Sequence, residues 1–570
     1  MSTIRWLVVF ALGLTISCSR NQTVQTHSAH AEGANANAGD TLPRTAAEWA
    51  RGAQLFEGLG NFHRGVTTSS AEGQRFFDQG MRLMWAFNHD EASRSFARAA
   101  QLDASCAMCW WGLALTVGPN YNMPMMAEYR AEVAFDSLER AAELLQNAAP
   151  PERALVEALK VRYPNPSALN AANEGPVLEA YALAMLRVTQ QFPQDLDIRT
   201  MYAESLMNIN AWKLWAADGT PAPGTEEIVR TLEDVLAKDP AHPGANHYFV
   251  HAVESSPHPE QALTAAEHLR GMMPAAGHLE HMPAHIWQRV GRYEDAAEAN
   301  RRGVAADRAY LGRSRPPDYY AMYVAHNFQF LAYSAAMEGR KAESLQAMRG
   351  LQAAFPEQAM GAMPGLDWYG AQPYMVFVRF GLWDEILNER PPSAALKALT
   401  GGYLFAKVCA LAAKGNVADA RRTLDDLEGI RGSLPTGAAA GLNTASDVLK
   451  LAAVLAKSQI EVAENDHQHA IASLFAAVEQ EDDLSYNEPS DWFFPVRHLL
   501  GAELLKSGQP ARAEAVYRED LRRNPDNGWS LFGLAQALRA QRKVTEATAV
   551  EVRYRRAWEH ADLALTASAM

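Results

Sequence analysis

The feature that most constrains this chain is a self-similarity with a period of 34 residues. Residues 73–106 align with residues 494–527 over their whole length. Gly80 stands at position 8 of the first segment and Phe96 at position 24, and the second segment has a glycine and a tyrosine at these positions. Helices that pack closely need small residues where they cross and a larger residue to fill the remaining gap. The period therefore predicts pairs of antiparallel helices stacked along the chain.

Further segments fit the same spacing, although the first third of the chain is looser and carries insertions. They are 243–276, 277–310, 325–358, 401–434, 451–484 and 528–561, with weaker helical pairs at 107–148, 162–195 and 196–242. Runs rich in glycine and proline predict loops at 212–225, 311–319, 356–370 and 431–442. The last run could separate two lobes, so we predict helical repeats over 46–430 and again over 443–570.

The pattern closely resembles the tetratricopeptide repeat (TPR), a pair of antiparallel helices. The match covers most of residues 70–561, with small residues at positions 8 and 20, an aromatic residue at 24 and proline at 32. The resemblance implies an all-α superhelix, or α-solenoid, of about ten or more helix-turn-helix repeats. No βαβ pattern, phosphate-binding glycine loop or nucleophile elbow occurs in the sequence.

The first 18 residues resemble the signal of a bacterial lipoprotein. Arg5 gives a short basic start, and residues 6–16 form an apolar run too short to span a bilayer. The signal ends in TISC, with threonine where leucine is usual, and Cys18 would be lipidated. Residues 19–45 have the composition of a flexible tether. We predict an exported, periplasmic protein that is anchored by lipid to a bacterial membrane, and we favour the outer membrane. The alternative is a soluble exported protein.

Charge and cysteine content narrow the function classes. The chain has 570 residues and a formal net charge of −14. Because nucleic-acid binding needs clustered lysine and arginine, we predict no nucleic-acid partner. Three cysteines follow Cys18, too few for a disulfide framework in an exported protein of this size. The spacing of Cys106 and Cys109 at a helix start favours a local disulfide, with buried thiols or a soft-metal site as alternatives.

Several histidines recur with the 34-residue period of the repeat. His247 and His281 are 34 residues apart, and so are His251 and His285. Each helix then carries two histidines four residues apart, which places both rings on one helix face. Two helices with the same ligand-type residues at the same repeat positions predict a site built between helices.

The TPR resemblance implies that positions 2, 5, 9 and 12 of each repeat line a concave groove. Position 2 holds His278 and His326, position 5 holds His247 and His281, and position 9 holds His251 and His285. This stretch also resembles an uncharacterised group of bacterial exported TPR lipoproteins that carry NHYFVHAVE and HMPAHI-like segments. Six histidines from three successive repeats are therefore predicted to face one groove.

This histidine arrangement predicts a transition-metal site. Imidazoles on neighbouring helices can converge on one ion with bonds of about 2.0–2.1 Å, and imidazole suits copper and zinc equally. We expect the four phased histidines to bind the ion, with His278 or His326 completing the site or helping to form a second one. The candidates that would orient the rings are Glu254, Glu280 and Asn246.

Three functions remain open at this point. The first is metal binding, storage or delivery by a periplasmic lipoprotein. The second is a metal-free scaffold that grips a peptide or protein partner in the groove, which is the usual role of this fold. The third is a metalloenzyme, which would need an open coordination position and a general base such as Glu254. The phased histidines favour the first function, and enzyme activity stays open.

Overall fold

The computed structural model of the protein describes residues 42–316, 320–362 and 365–570, and its regular structure is almost entirely helical. The predicted signal, Cys18 and the tether as far as residue 41 lie outside the described residues. Within the described part, the strands are Ala439–Ala440 and Asn443–Thr444, which pair antiparallel. The predicted all-α class is therefore confirmed.

The helices follow one another in chain order. Those up to residue 337 are Ala46–Trp49, Ala71–Trp85, His89–Leu102, Ala107–Thr116, Glu128–Glu143, Pro150–Arg162, Glu174–Gln191, Leu196–Met207, Thr225–Leu236, Pro243–Val253, Leu263–Leu269, Gly277–His281, Pro283–Arg289, Tyr293–Leu311 and Tyr320–Met337. Those that follow are Lys341–Ala354, Glu357–Ala362, Gln372–Arg379, Trp383–Asn388, Lys397–Ala413, Val417–Gly432, Ala445–Ala463, His467–Asp482, Val496–Lys506, Pro510–Arg523, Gly528–Ala540 and Val544–Ala557. Short 3-10 helices are Leu145–Asn147, Asn208–Asn210, Pro259–Ala262 and Asp367–Ala371.

The predicted repeats coincide with packed helix pairs. The segment 73–106 forms Ala71–Trp85 and His89–Leu102, which pack against each other. The segment beginning at residue 494 forms Val496–Lys506 and Pro510–Arg523 in the same way. The TPR-like helical repeat is thus confirmed by the elements themselves.

Phe96 shows how one repeat packs on the next. Its ring is fully buried between Gly80 of its own repeat and Gly112 of the following helix. A Cβ atom would lie 2.7 Å from the ring if added at Gly80 and 2.4 Å from it if added at Gly112. Tyr517 lies between Gly501 and a glycine of the next helix in the same manner. The small and aromatic positions of the repeat therefore act as the sequence predicts.

Position 15 of the repeat, in the turn between the two helices, has a left-handed backbone in seven repeats. Glycine occupies this position at Gly291, Gly339, Gly415 and Gly508, with φ between 70° and 80°. The other three residues there are Phe87, Asn465 and Arg542, with φ between 52° and 63°. A left-handed backbone costs a residue with a side chain about 1–2 kcal/mol. The packing of Phe87, the bulkiest of these residues, must therefore outweigh this strain.

The chain divides into two compact units. The described part of the N-terminal unit contains residues 42–286, 299–316 and 320–327, and that of the C-terminal unit contains residues 287–298, 328–362 and 365–570. The predicted break at 431–442 lies inside the C-terminal unit and contributes a strand to the short hairpin.

The predicted loops differ from the structure in one place. The segment 356–370 contains the helix Glu357–Ala362 and most of the 3-10 helix Asp367–Ala371, so the loop prediction was wrong there. The buried indole of Trp368 packs in the C-terminal unit and donates a hydrogen bond to the backbone oxygen of Asp491. Tertiary burial of this segment outweighs its local glycine and proline content.

The described residues include three cysteines. Cys106 and Cys109 are joined by a disulfide at the start of helix Ala107–Thr116, and Cys409 is a buried free thiol. Among the described helices, none combines the length and the apolar character that crossing a bilayer requires.

Candidate metal centre

Helix Pro243–Val253 carries the first histidine pair and is buried along its whole length. His242 caps its N-terminus by accepting a hydrogen bond from a backbone N–H of the first turn, and Pro243 opens the helix. His247 and His251 then lie one turn apart, with ring centroids 4.9 Å apart. A helix buried on every side packs in a protein interior rather than along an open surface.

The second histidine pair lies on a helix that Pro283 interrupts. Helix Gly277–His281 ends, and helix Pro283–Arg289 begins directly afterwards, because proline has no N–H to continue the hydrogen-bond ladder. His281 and His285 still meet across this break. Their Nε2 atoms are 2.8 Å apart, and their ring centroids are 4.7 Å apart.

All six predicted histidines lie in the N-terminal unit, and five of them are buried. His247, His251, His278, His281 and His285 are at most 3% exposed, whereas His326 is partly exposed. The TPR resemblance implied a concave groove and left open whether it is covered; in the structure, aromatic rings cover the cluster. The covering residues are Phe87, Tyr121, Trp212 and Tyr323, with ring centroids 4.5–5.7 Å from a histidine ring.

The first member of each helix pair has its Nδ1 atom held by an oxygen acceptor. His247 Nδ1 donates a hydrogen bond to the backbone oxygen of Trp85 at 2.6 Å. His281 Nδ1 lies 2.7 Å from Oδ1 of Asn300. Since neither oxygen can donate, the ring hydrogen resides on Nδ1 in both histidines. Their Nε2 atoms therefore carry the lone pair, and an imidazole nitrogen in this form can bind a metal.

Glu254 does the same for the second member of each pair. Its Oε1 lies 3.0 Å from Nδ1 of His251, and its Oε2 lies 2.7 Å from Nδ1 of His285. Burial by itself would raise the pKa of Glu254, but the two adjacent histidines outweigh burial and lower it to about 2. The carboxylate is therefore ionised, and its negative oxygens favour a hydrogen on the Nδ1 atom that each of them faces. In metal sites, the ring nitrogen of a ligand histidine that does not bind the metal commonly donates a hydrogen bond to a carboxylate.

The contact between His281 and His285 brings together two nitrogen atoms that carry no hydrogen. With the hydrogen of each ring on Nδ1, the lone pairs of the two Nε2 atoms face each other at 2.8 Å. Such a contact is repulsive unless a proton or another cation lies between the two atoms. Burial lowers the pKa of His281 well below 6.5, and the adjacent His285 lowers it further. A metal ion is therefore a better partner for these lone pairs than a proton.

His247, His251 and His278 are also neutral at physiological pH. Burial lowers the pKa of His247 and His278 well below 6.5, and neighbouring imidazoles lower it further. Burial likewise lowers the pKa of His251. Its Nε2 atom has no hydrogen-bond partner among the described residues, and the same holds for Nδ1 of His278. Buried nitrogen atoms without a partner are costly, which makes Nε2 of His251 a candidate ligand. His278 presents its other nitrogen, Nε2, to His247 at 3.2 Å.

The six histidines form two sets of three in the described part of the chain. The first triad is His247, His251 and His278, and the second triad is His281, His285 and His326. Within each triad, one nitrogen atom from every ring lies within 4.8 Å of the other two. The sequence grouped the four phased histidines together, whereas the structure groups each helical pair with a different third ring.

Two of the three residues expected to orient the rings lie elsewhere. Asn246 donates hydrogen bonds to the backbone oxygens of Pro240 and His242, and Glu280 accepts one from Arg302 at 2.7 Å. Each of them directly precedes a ligand histidine in the sequence, so it projects about 100° away around the helix. Of the three candidates, Glu254 alone contacts the cluster.

Sequence reasoning did not assign the residues that hold and cover the rings, among them Trp85, Asn300 and Phe87. Trp85 contributes a backbone oxygen, which has no sequence signature, and Asn300 lies on a different helix from its histidine. Phe87 packs against His247 with a centroid distance of 4.5 Å and stacks on His251 and another ring of the first triad. Its signal was available, because phenylalanine stands at a turn position that glycine usually fills in this chain.

Comparison with known proteins gives no family. No family model matches the chain, and no match was found among curated proteins. A structure of the human IFIT1 dimer with m7Gppp-AAAA is 12% identical, with a TM-score of 0.35 over 86% of this chain and 91% of that chain. A monomeric IFIT1 mutant is 13% identical, with a TM-score of 0.33 over 90% and 99% of the two chains. Similarity this low carries no argument about ligands, and the fold assignment rests on the helices of the chain itself.

Proposed function

We propose that this protein binds a transition-metal ion in the buried histidine cluster of its N-terminal unit. The observation that carries the proposal is the 2.8 Å separation of the Nε2 atoms of His281 and His285, both of which have an oxygen atom within 2.7 Å of Nδ1. Neutral imidazoles with this arrangement are set to donate lone pairs to one cation. The buried negative charge of Glu254 also supports metal binding, because a bound cation would offset it.

The donor set favours copper or zinc. All six candidate ligands are imidazoles, which suit both metals, whereas magnesium and calcium prefer oxygen ligands. The burial of five rings supports retention of a resident ion rather than loose surface binding. It also argues against a peptide-binding role for these histidines, because a peptide cannot reach rings that are at most 3% exposed.

Export and lipid attachment belong to the same proposal. The signal-like first residues and the lipidation motif at Cys18 support a periplasmic, membrane-anchored protein. In that compartment, the disulfide between Cys106 and Cys109 is chemically stable. Metal storage or delivery at the membrane is the broader role that this combination supports.

Metal analysis of the protein, purified without a histidine tag, tests the proposal. We expect stoichiometric copper or zinc in the wild type, removed by a chelator and restored by adding the ion. Replacement of His251 and His285 by alanine should abolish stoichiometric binding. His268→Ala is the matched control, because His268 is exposed and lies outside both triads.

Thermal unfolding gives an independent measurement of the same binding. An ion that binds the native state at 100 times its Kd stabilises the protein by about 2.7 kcal/mol. The wild type and His268→Ala should melt at a higher temperature with the ion, and the double variant should not. If neither calorimetry nor melting detects Cu(II), Zn(II), Ni(II), Co(II) or Fe(II), the cluster is not a metal site.

A further inference from the structure

We infer that the cluster is a two-metal centre, with one ion in each histidine triad. This inference rests on the proposed function and adds the number and arrangement of the ions. Six imidazoles exceed the four ligands that one tetrahedral ion takes. The structure resolves the excess by dividing the ligand atoms into two sets of three.

Distances within the triads match ligand spacing around single ions. Two nitrogen atoms bound to one tetrahedral ion lie about 3.3 Å apart, and two at right angles on one ion lie about 2.9 Å apart. In the first triad, Nε2 of His247 is 3.2 Å from Nε2 of His278. In the second triad, the corresponding separation between His281 and His285 is 2.8 Å. Each close pair lies inside one triad and can share one ion.

The two triads touch each other through their rings. His251 of the first triad lies 5.9 Å from His285 of the second, measured between ring centroids. His278 and His281 form a second contact of this kind at 5.8 Å. The two ions would therefore be neighbours rather than independent sites.

Glu254 links the triads chemically. One carboxylate oxygen orients His251, and the other orients His285, so a single side chain fixes one ligand of each ion. With one oxygen facing Nδ1 of His251 and the other facing Nδ1 of His285, Glu254 acts as a positioning residue for the pair. One buried carboxylate therefore contacts one histidine of each triad.

Three imidazoles leave each ion with an open coordination position. Catalytic metal sites have this pattern, whereas structural sites are closed by four protein ligands. Two adjacent ions with open positions can share one small oxygen ligand, such as hydroxide, at the spacing of about 3.5–4 Å seen in two-metal sites. His326, the partly exposed member of the second triad, marks the side from which such a ligand would enter.

Copper titration with electron paramagnetic resonance (EPR) tests the inference. Chelator-treated full-length protein is titrated with Cu(II) sulfate, and bound copper is counted per chain. We expect two Cu(II) ions per wild-type chain, with an EPR signal that is broadened or integrates to less than the copper content, because neighbouring spins interact. His268→Ala should behave as the wild type.

Single-triad variants locate each ion. His326→Ala should lose the ion of the second triad, and His278→Ala should lose the ion of the first. Each variant should bind half as much copper as the wild type, with the full EPR signal of an isolated ion. Glu254→Gln should lower the affinity for both ions, because it changes a side chain that contacts one ligand of each.

The outcomes separate this inference from the proposed function. One Cu(II) per wild-type chain with a full, isolated signal overturns the two-metal centre but leaves metal binding standing. Two ions without any spin interaction overturn the adjacency of the triads. Absence of stoichiometric copper, together with absence of the other ions tested above, overturns both proposals. Since the wild type decides the stoichiometry, the inference stays testable even if one variant fails to fold.

Discussion

Oε2 of Glu254 lies 2.7 Å from Nδ1 of His285. Glu254 directly follows helix Pro243–Val253, and His285 lies on helix Pro283–Arg289. The same carboxylate contacts His251 at 3.0 Å through its other oxygen. Glu254 is at most 1% exposed, so its charge is held by these two rings rather than by water. The acceptor capacity of one carboxylate therefore sets the orientation of two candidate ligands.

Glu254→Gln should lower metal affinity about 10–100-fold, the range found when a partner of a ligand histidine is removed. Glutamine has one acceptor oxygen, so it can hold the Nδ1 hydrogen of only one of the two rings. A competition assay against a chromophoric chelator measures the loss. Glu260→Gln is the control, because Glu260 contacts the exposed His258 in the same way but lies at the surface. Equal affinity of Glu254→Gln and wild type would show that the carboxylate does not orient the rings.

Phe87→Gly should be less destabilising than Phe87→Ala, which reverses the usual order. Both changes remove a fully buried ring and should lower the free energy of unfolding by about 3–5 kcal/mol. At φ 52°, however, glycine avoids the roughly 1–2 kcal/mol of backbone strain that alanine keeps. Urea unfolding of the two variants and the wild type gives the comparison. A glycine variant weaker than the alanine variant would mean that backbone strain at this turn is negligible.

Asp307→Asn should remove a pH dependence of stability between about pH 4 and pH 7. Asp307 accepts hydrogen bonds from Tyr320 and Asn327, and its burial raises its pKa from 3.8 to about 7. Between these two values, the folded state holds a proton that the unfolded state has lost. The contribution to stability is thus complete below pH 4 and is lost as the pH rises towards 7, at up to about 1.4 kcal/mol per pH unit.

Urea unfolding from pH 5 to pH 8 measures this effect. Relative to wild type, Asp307→Asn should gain stability as the pH rises to about 7 and then stay constant. Asp218→Asn, at an exposed aspartate, should follow the wild type throughout. Parallel curves for wild type and Asp307→Asn would place the pKa of Asp307 near its usual value.

Cys18→Ala should move the protein from the membrane fraction to the soluble periplasmic fraction. The reason is that lipid on Cys18 is the proposed anchor, and the described helices offer no membrane span. Cell fractionation with mass spectrometry of the N-terminal peptide checks both location and lipid. Cys409→Ala is the control cysteine, since Cys409 is buried in the folded body. A wild type that is already soluble and carries no lipid would contradict the anchor.

The sequence by itself determined the helix pairs and the phasing of the histidines. Steric rules at a few repeat positions are local, so Gly80 and Phe96 predicted a close helix crossing that the structure contains. The four-residue spacing of His247 and His251 likewise placed their rings together, because helix geometry fixes which residues share a face.

Only the tertiary structure decided what surrounds those rings. The acceptor for His247 is the backbone oxygen of Trp85, 162 residues away in the chain, and a backbone oxygen leaves no trace in the sequence. The fold also brought His278 beside His247, at 3.2 Å, and so divided the histidines into triads that repeat spacing did not predict. The fold also decided that the groove implied by the TPR resemblance is covered at this cluster, because Phe87 and its aromatic neighbours pack over the rings. Such contacts depend on how distant segments pack together, which a local periodicity does not encode.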